Sequence, residues 1–150
     1  MVENIRYGNK VVARIIGVEE LDGPFKFFTE DKDHLQISRW NHPKGYVCKP
    51  HIHNRIPRTI DLVNEMIHVL EGELEVTFYT MEGKPFMQRI LRKGDICHEM
   101  ECGHGYKVLT EGTRVLEVKN GPFLGTARYD EERTLIDYKE EASPWDMDMK

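Results

Sequence analysis

The sequence predicts an all-β sandwich or barrel. Short segments rich in β-branched and aromatic residues recur along the 150-residue chain. Gly and Pro punctuate them throughout, from Gly8 and Gly17 through Gly23-Pro24, Gly83-Lys84-Pro85 and Gly121-Pro122. No internal repeat or low-complexity tract intervenes. Many short strands separated by frequent turn signals are the mark of antiparallel sheets packed face to face or closed on themselves.

In chain order, strands are expected near residues 11–16, 25–29, 35–40, 46–53, 65–70, 73–80, 86–91, 96–100, 106–109 and 113–118. Each is a run of β-formers bounded by breakers. Met81-Glu82-Gly83-Lys84 reads as the hairpin loop between two of them. Residues 59–70 also admit a helical reading, because Leu62, Val63, Met66, Ile67 and Leu70 recur at helical spacing before Gly72. On such a helix Glu65 and His68 would form the Glu-x-x-His pair of di-iron bundles. The chain offers no further long helices to build one, so a strand is preferred. On that strand His68 faces away from Glu65. The charged tail, residues 139–150, carries Trp145 beside Pro144 and is expected either to fray or to pack as an arm.

Length and a hydrophobic content of 39% suit one domain, residues 1–150, with one core. Its parts are N-terminal strands in 1–34, a barrel core over about 35–123 and the tail 139–150. The formal net charge of -5 and the absence of basic stripes argue against nucleic acid. No stretch approaches the roughly 20 apolar residues of a membrane span, and Met1-Val2-Glu3-Asn4 does not open a signal peptide. Three cysteines, Cys48, Cys97 and Cys102, lack paired spacing and fit a reducing cytoplasm.

The most informative feature is His51-Ile52-His53, followed by Glu65 and later by His104. Two imidazoles one residue apart share a face of an extended chain. With a carboxylate and a third imidazole they make a ligand set that suits Fe, Mn, Ni, Cu or Zn rather than Ca or Mg. His98 is the alternative third imidazole. His34 and His42 have no such context and read as surface residues.

These residues resemble a known pattern. Gly45-Tyr-Val-Cys-Lys-Pro-His51-Ile-His53 is similar to the first half of the cupin signature, and Glu65-Met-Ile-His-Val-Leu-Glu-Gly72 to its second half. Gly94-Asp95 and His104 stand where a second cupin motif would place its glycine and histidine, and residues 115–123 look like a closing strand of small cupins. The match covers roughly residues 35–123. Two departures are clear: eleven residues separate His53 from Glu65, and the stretch before His104 is short and has no proline.

The resemblance implies an antiparallel double-stranded β-helix, or jelly-roll barrel, with His51, His53, Glu65 and His104 holding one divalent transition metal (Fe, Mn, Ni or Zn) in an open site. Arg55 and Arg58, beside the first motif, offer planar forks for a carboxylate or phosphate. With Tyr46 they are the expected substrate-binding residues. Lys49 lies near the same strand end, and alternation turns Lys107 away from His104. No residue is assigned a catalytic role. Three functions compete: a small metalloenzyme (isomerase, epimerase, dioxygenase or lyase) acting on a small oxygenated, acidic or sugar-derived substrate; a non-catalytic small-ligand module; and a metal-free sugar isomerase or epimerase using barrel histidines as acid and base. Carbohydrate metabolism is the favoured setting by fold-level analogy. The resemblance also implies a homodimer, with the strand near 11–16 and the Trp145 tail as candidate contacts.

Overall fold

The computed structural model describes residues 1–125 and 128–136. It is all-β with antiparallel sheets, and the described strands form three separate hydrogen-bonded sheets. The strands are β1 (Val2–Tyr7), β2 (Lys10–Ile16), β3 (Lys26–Phe27), β4 (Ser38–Arg39), β5 (Glu65–Glu71), β6 (Glu73–Tyr79), β7 (Pro85–Arg92), β8 (Ile96–Glu99), β9 (Gly103–Val108) and β10 (Arg114–Lys119). One turn of 3-10 helix spans Val18–Leu21, and a short helix spans Tyr129–Glu132.

The larger sheet has the order β1-β2-β8-β5-β10, and the second has the order β7-β6-β9. Both contribute to one core. Ile5, Val12, Ala13 and Ile15 from β1 and β2, with Ile67, Val69 and Cys97, meet Leu74, Val76, Phe78 and Leu91 of the second sheet. Alternation explains the choice: in β5, Glu65, Ile67 and Val69 are buried and their neighbours less so. Along the far edge, the Arg89 guanidinium donates to Glu3 (Nη2 to Oε1, 2.6 Å), tying β7 to β1. The outer face of the five-stranded sheet is covered by residues 18–39. Phe28 packs there with Ile16 and Ile96, flanked by Leu21, Ile37 and Met66.

Most expected strands form, with shifted ends. The runs at 25–29 and 35–40 shrink to the two-residue pair β3 and β4. β9 begins at Gly103, earlier than expected, because β6 pairs with it from Tyr79↔Gly103 onward. The strand β1 was not anticipated. Gly8-Asn9 between two β-rich runs was the available signal, and Gly8 sits at φ 58 in that turn. The Met81–Lys84 hairpin is present: Thr80 N–H donates to the Lys84 carbonyl at 2.8 Å, and Gly83 takes φ 82. The helical alternative over 59–70 does not form. From Glu65 onward the backbone is taken by β8 on one side and β10 on the other.

The strand expected at 46–53 is the main correction. Residues 41–60 form no strand and are exposed throughout. Pro50 removes a ladder donor from the middle of the run, and Pro43 and Pro57 stand on either side. The tail 139–150, with Trp145, lies outside the described residues.

Candidate functional site

One end of the space between the two sheets is polar. Glu65 opens β5 and stands opposite Glu99, the last residue of β8, and Lys119, the last residue of β10. Directly paired residues share a face, so all three project inward with Glu117. From the second sheet, His104 and Tyr106 pair with Phe78 and Val76. Those two partners are fully buried, which sets His104 and Tyr106 on the inner side as well.

The contacts are specific. Lys119 Nζ lies 3.2 Å from Glu65 Oε2 and 2.7 Å from Glu117 Oε1. His104 Nε2 lies 3.7 Å from Glu65 Oε1. Tyr106 donates its hydroxyl to Glu99 Oε1 at 3.0 Å. Glu99 Oε2 and His104 Nδ1 are buried without a hydrogen-bond partner among the described residues.

Burial and charge shift these groups. Burial pushes Glu99 up from 4.5 to about 7, against the lowering effect of Cys97 and Tyr106. Burial also lowers His104, and the Glu65 carboxylate beside it opposes that shift. Burial alone would lower Lys119, but its hydrogen bonds to Glu117 and Glu65 outweigh this and hold it above the ordinary lysine range. Burial raises Tyr106, with Glu99 adding to the shift. Cys97 is raised well above an ordinary thiol, and Cys102 to about 12, both chiefly by burial. Neither thiol is a ready nucleophile.

Of the expected metal ligands, the fold brings Glu65 and His104 together and leaves His51 and His53 apart from them. The two histidine rings meet edge to face on the exposed segment, centroids 5.0 Å apart, and His51 Nδ1 lies 2.9 Å from the Lys49 carbonyl oxygen. Among the described residues no group of three or more His, Cys, Asp or Glu is arranged to hold a metal. As placed, the four residues therefore do not fit the ion that the cupin resemblance implies. His98 does not substitute. It is fully buried on the opposite face of β8, paired with Arg14 and Met66. Burial, then the Arg14 charge, lowers it to about 4.

Tyr46, Arg55 and Arg58 are exposed on the same segment as His51 and His53. The Tyr46 ring stacks on His42 at 3.7 Å, and His42 in turn contacts Trp40. Lys107 points outward opposite Glu75, as alternation requires. Sequence reading missed Glu99, Tyr106, Glu117 and Lys119. Alternation along 96–100 and 113–118 was the signal, but only pairing in space shows that these strands flank Glu65.

A polar cavity of about 770 Å³ lies beside this end of the sheet, bounded by Lys10, Arg14, Asp33, Asn64 and Met100. Asn64 and Met100 are the chain neighbours of Glu65 and Glu99. Among the described residues no helix is long and apolar enough to cross a membrane. No protein-family profile matches the chain, and neither a curated protein nor a solved structure matches it.

Proposed function

We propose that this protein is a jelly-roll enzyme of cupin type. It transfers protons on a small oxygenated substrate of sugar or keto-acid character, as an isomerase or epimerase working through its own side chains. The observation that carries this reading is the Glu65–His104 pair at 3.7 Å, with Lys119 on the other carboxylate oxygen. Lys119 sets a positive charge 3.2 Å from Glu65 Oε2. Burial keeps His104 neutral, and its Nδ1 has no protein partner among the described residues. A neutral imidazole backed by a carboxylate is a general base, because the carboxylate stabilises the imidazolium that forms.

In this mechanism His104 takes the proton from the carbon beside a substrate carbonyl. In the reaction the Tyr106 hydroxyl turns its one proton from Glu99 to the oxygen on which charge develops, and the protonated Glu99 carboxyl donates to the Tyr106 oxygen in its place. Return of the proton to the former carbonyl carbon, with the hydroxyl proton of the first carbon passing to the former carbonyl oxygen by way of Tyr106, gives an isomer, and return to the other face of the first carbon gives an epimer. Arg55, Arg58 and Tyr46 hold an acidic group of the substrate.

The test is wash-in of solvent deuterium. The protein is incubated in D2O with a panel of hydroxy-aldehydes, hydroxy-ketones and keto acids, and loss of the C–H signal beside the carbonyl is followed by proton NMR. Exchange that disappears in His104→Ala supports the reading. No exchange with any member, or exchange unchanged in His104→Ala, sinks it.

A metal-binding reading stands second, because half of its ligand set, Glu65 with His104, is adjacent. About one equivalent of Fe, Mn, Ni or Zn in the purified protein, lost in His104→Ala and retained in His98→Ala, would favour it. A homodimer working in the cytoplasm completes the proposal, and turnover separates both readings from a module that only binds.

A further inference from the structure

We infer that the polar cavity on the outer face of the five-stranded sheet binds a small zwitterion of α-amino-acid type, with Arg6 holding its carboxylate and Asp61 its ammonium.

The cavity lies behind the Glu65–His104 site, not in it. Arg14, Asn64 and Met100 bound it. Asn64 precedes Glu65 and Met100 follows Glu99, so alternation turns both to the opposite face of the sheet. Arg14 stands on that face, paired with His98. Its volume of about 770 Å³ falls within the roughly 300–1,000 Å³ of ordinary small-ligand sites.

The charges select the ligand. Among the described residues, eight Lys, Arg, Asp and Glu side chains bound the cavity, four of each sign. Six of them are matched with one another. Arg14 Nη1 donates to Asp33 Oδ2 at 3.1 Å, Lys32 Nζ lies 2.8 Å from Glu30 Oε2, and Lys10 pairs with Glu101. The remaining two are Arg6 and Asp61. The Arg6 guanidinium donates to the Asn9 carbonyl at 3.1 Å and has no acidic partner among the described residues, and Asp61 has no basic one.

This balance disfavours simpler ions. A divalent cation would have to draw carboxylates out of existing pairs and leave their cations uncompensated. A phosphate would find one unmatched cation. A molecule carrying one charge of each sign meets both groups, and only one particle is immobilised in doing so. The three matched pairs leave no charge for a further ionised group, so the ligand's side chain is neutral.

Asn64 adds a neutral contact. It is 4% exposed, and its side-chain amide has no hydrogen bond to a described residue. Its backbone is fixed: Asn64 N–H donates to Asn120 Oδ1 at 2.5 Å, and Asn120 N–H donates to the Asn64 carbonyl at 3.2 Å. Buried amides normally have partners. Lining the cavity from a pinned backbone, this one offers a donor and an acceptor to the ligand.

Isothermal titration of the whole chain with each of the twenty protein amino acids tests the site. A neutral amino acid should bind with a dissociation constant of about 1 mM or tighter. Its amide, which lacks the carboxylate, and its N-acetyl form, which lacks the ammonium, should each bind about tenfold more weakly. Arg6→Gln should erase the preference over the amide, and Asp61→Asn the preference over the N-acetyl form. Both residues are exposed, so both variants should fold. His104→Ala should bind like wild type. Binding of no amino acid, equal affinity in wild type and both charge variants, or weakening in only one of them overturns the proposal. Loss of binding in His104→Ala overturns it too, because the ligand would then sit on the inner face. None of these readouts needs turnover, so they stand or fall separately from the proton-transfer proposal.

Discussion

Glu65 and Glu99 lie directly opposite each other across β5 and β8, yet only Glu65 has a cation. Lys119 and His104 both approach Glu65. Glu99, 2% exposed, accepts the Tyr106 hydroxyl and has no ion-pair partner among the described residues. Burial first, and the neighbouring Glu65 in addition, raise Glu99, so Glu99 is the carboxyl of the cluster that carries a proton near neutral pH.

Lys119→Met removes the cation while keeping the side-chain length. The nearly buried Glu65 carboxylate is left uncompensated, and a loss of about 1–3 kcal/mol in unfolding free energy is expected at pH 7. Urea unfolding measures it. An unchanged midpoint would show that Lys119 is not what holds the charge.

Stability should respond to pH through two buried groups of opposite sign. Glu99 is raised from 4.5 to about 7, so the folded state holds its proton more tightly. Its contribution, roughly 3 kcal/mol, is present below pH 4.5 and lost as pH rises through 7. His98 is lowered from 6.5 to about 4, so its contribution of similar size is present above pH 6.5 and lost as pH falls through 4. Between about pH 4.5 and 6.5 the two slopes cancel. Glu99→Gln should therefore gain stability relative to wild type as pH rises across that window, and His98→Leu should lose it. Denaturant unfolding at the two ends of the window decides, and parallel profiles for all three proteins would contradict the assignment.

Gly72→Ala should destabilise by about 1–3 kcal/mol. Gly72 turns the chain from β5 into β6 at φ 80, and an added Cβ would run into Thr113 and Thr110. Thermal unfolding reads the cost. Gly112, also at positive φ but with open space around it, should tolerate alanine better.

His104→Ala and the double change His51→Ala with His53→Ala separate the two chemical readings. Under proton transfer, His104→Ala lowers deuterium wash-in by roughly 10²–10⁴-fold. The double variant leaves the wash-in rate within a few fold. Under metal binding, both variants lose bound metal and turnover together. The double variant should keep its unfolding midpoint within about 0.5 kcal/mol in either case, because both rings lie on an exposed segment.

Local sequence was informative wherever local physics decides. Alternation in Glu65–Glu71 and Glu73–Tyr79 marks strands with one buried face, and Gly83 marks their neighbour's hairpin. It was ambiguous at residues 59–70, where apolar spacing also suits a helix and only the flanking strands β8 and β10 resolve the choice. It was misleading at 46–53, where β-rich composition named a strand, but a strand needs an edge to pair with.

The sequence by itself determined the all-β class and the positions of most strands, because side-chain period and turn chemistry act between near neighbours; Glu65 and His104 came together as residues worth testing only through the motif resemblance. Only the tertiary structure decided that Glu99, Tyr106, Glu117 and Lys119 join that pair, that His98 faces away, and that His51 and His53 stand apart. Those relations are set by strand order and register between segments as far apart as residues 65 and 119, and no local periodicity carries them.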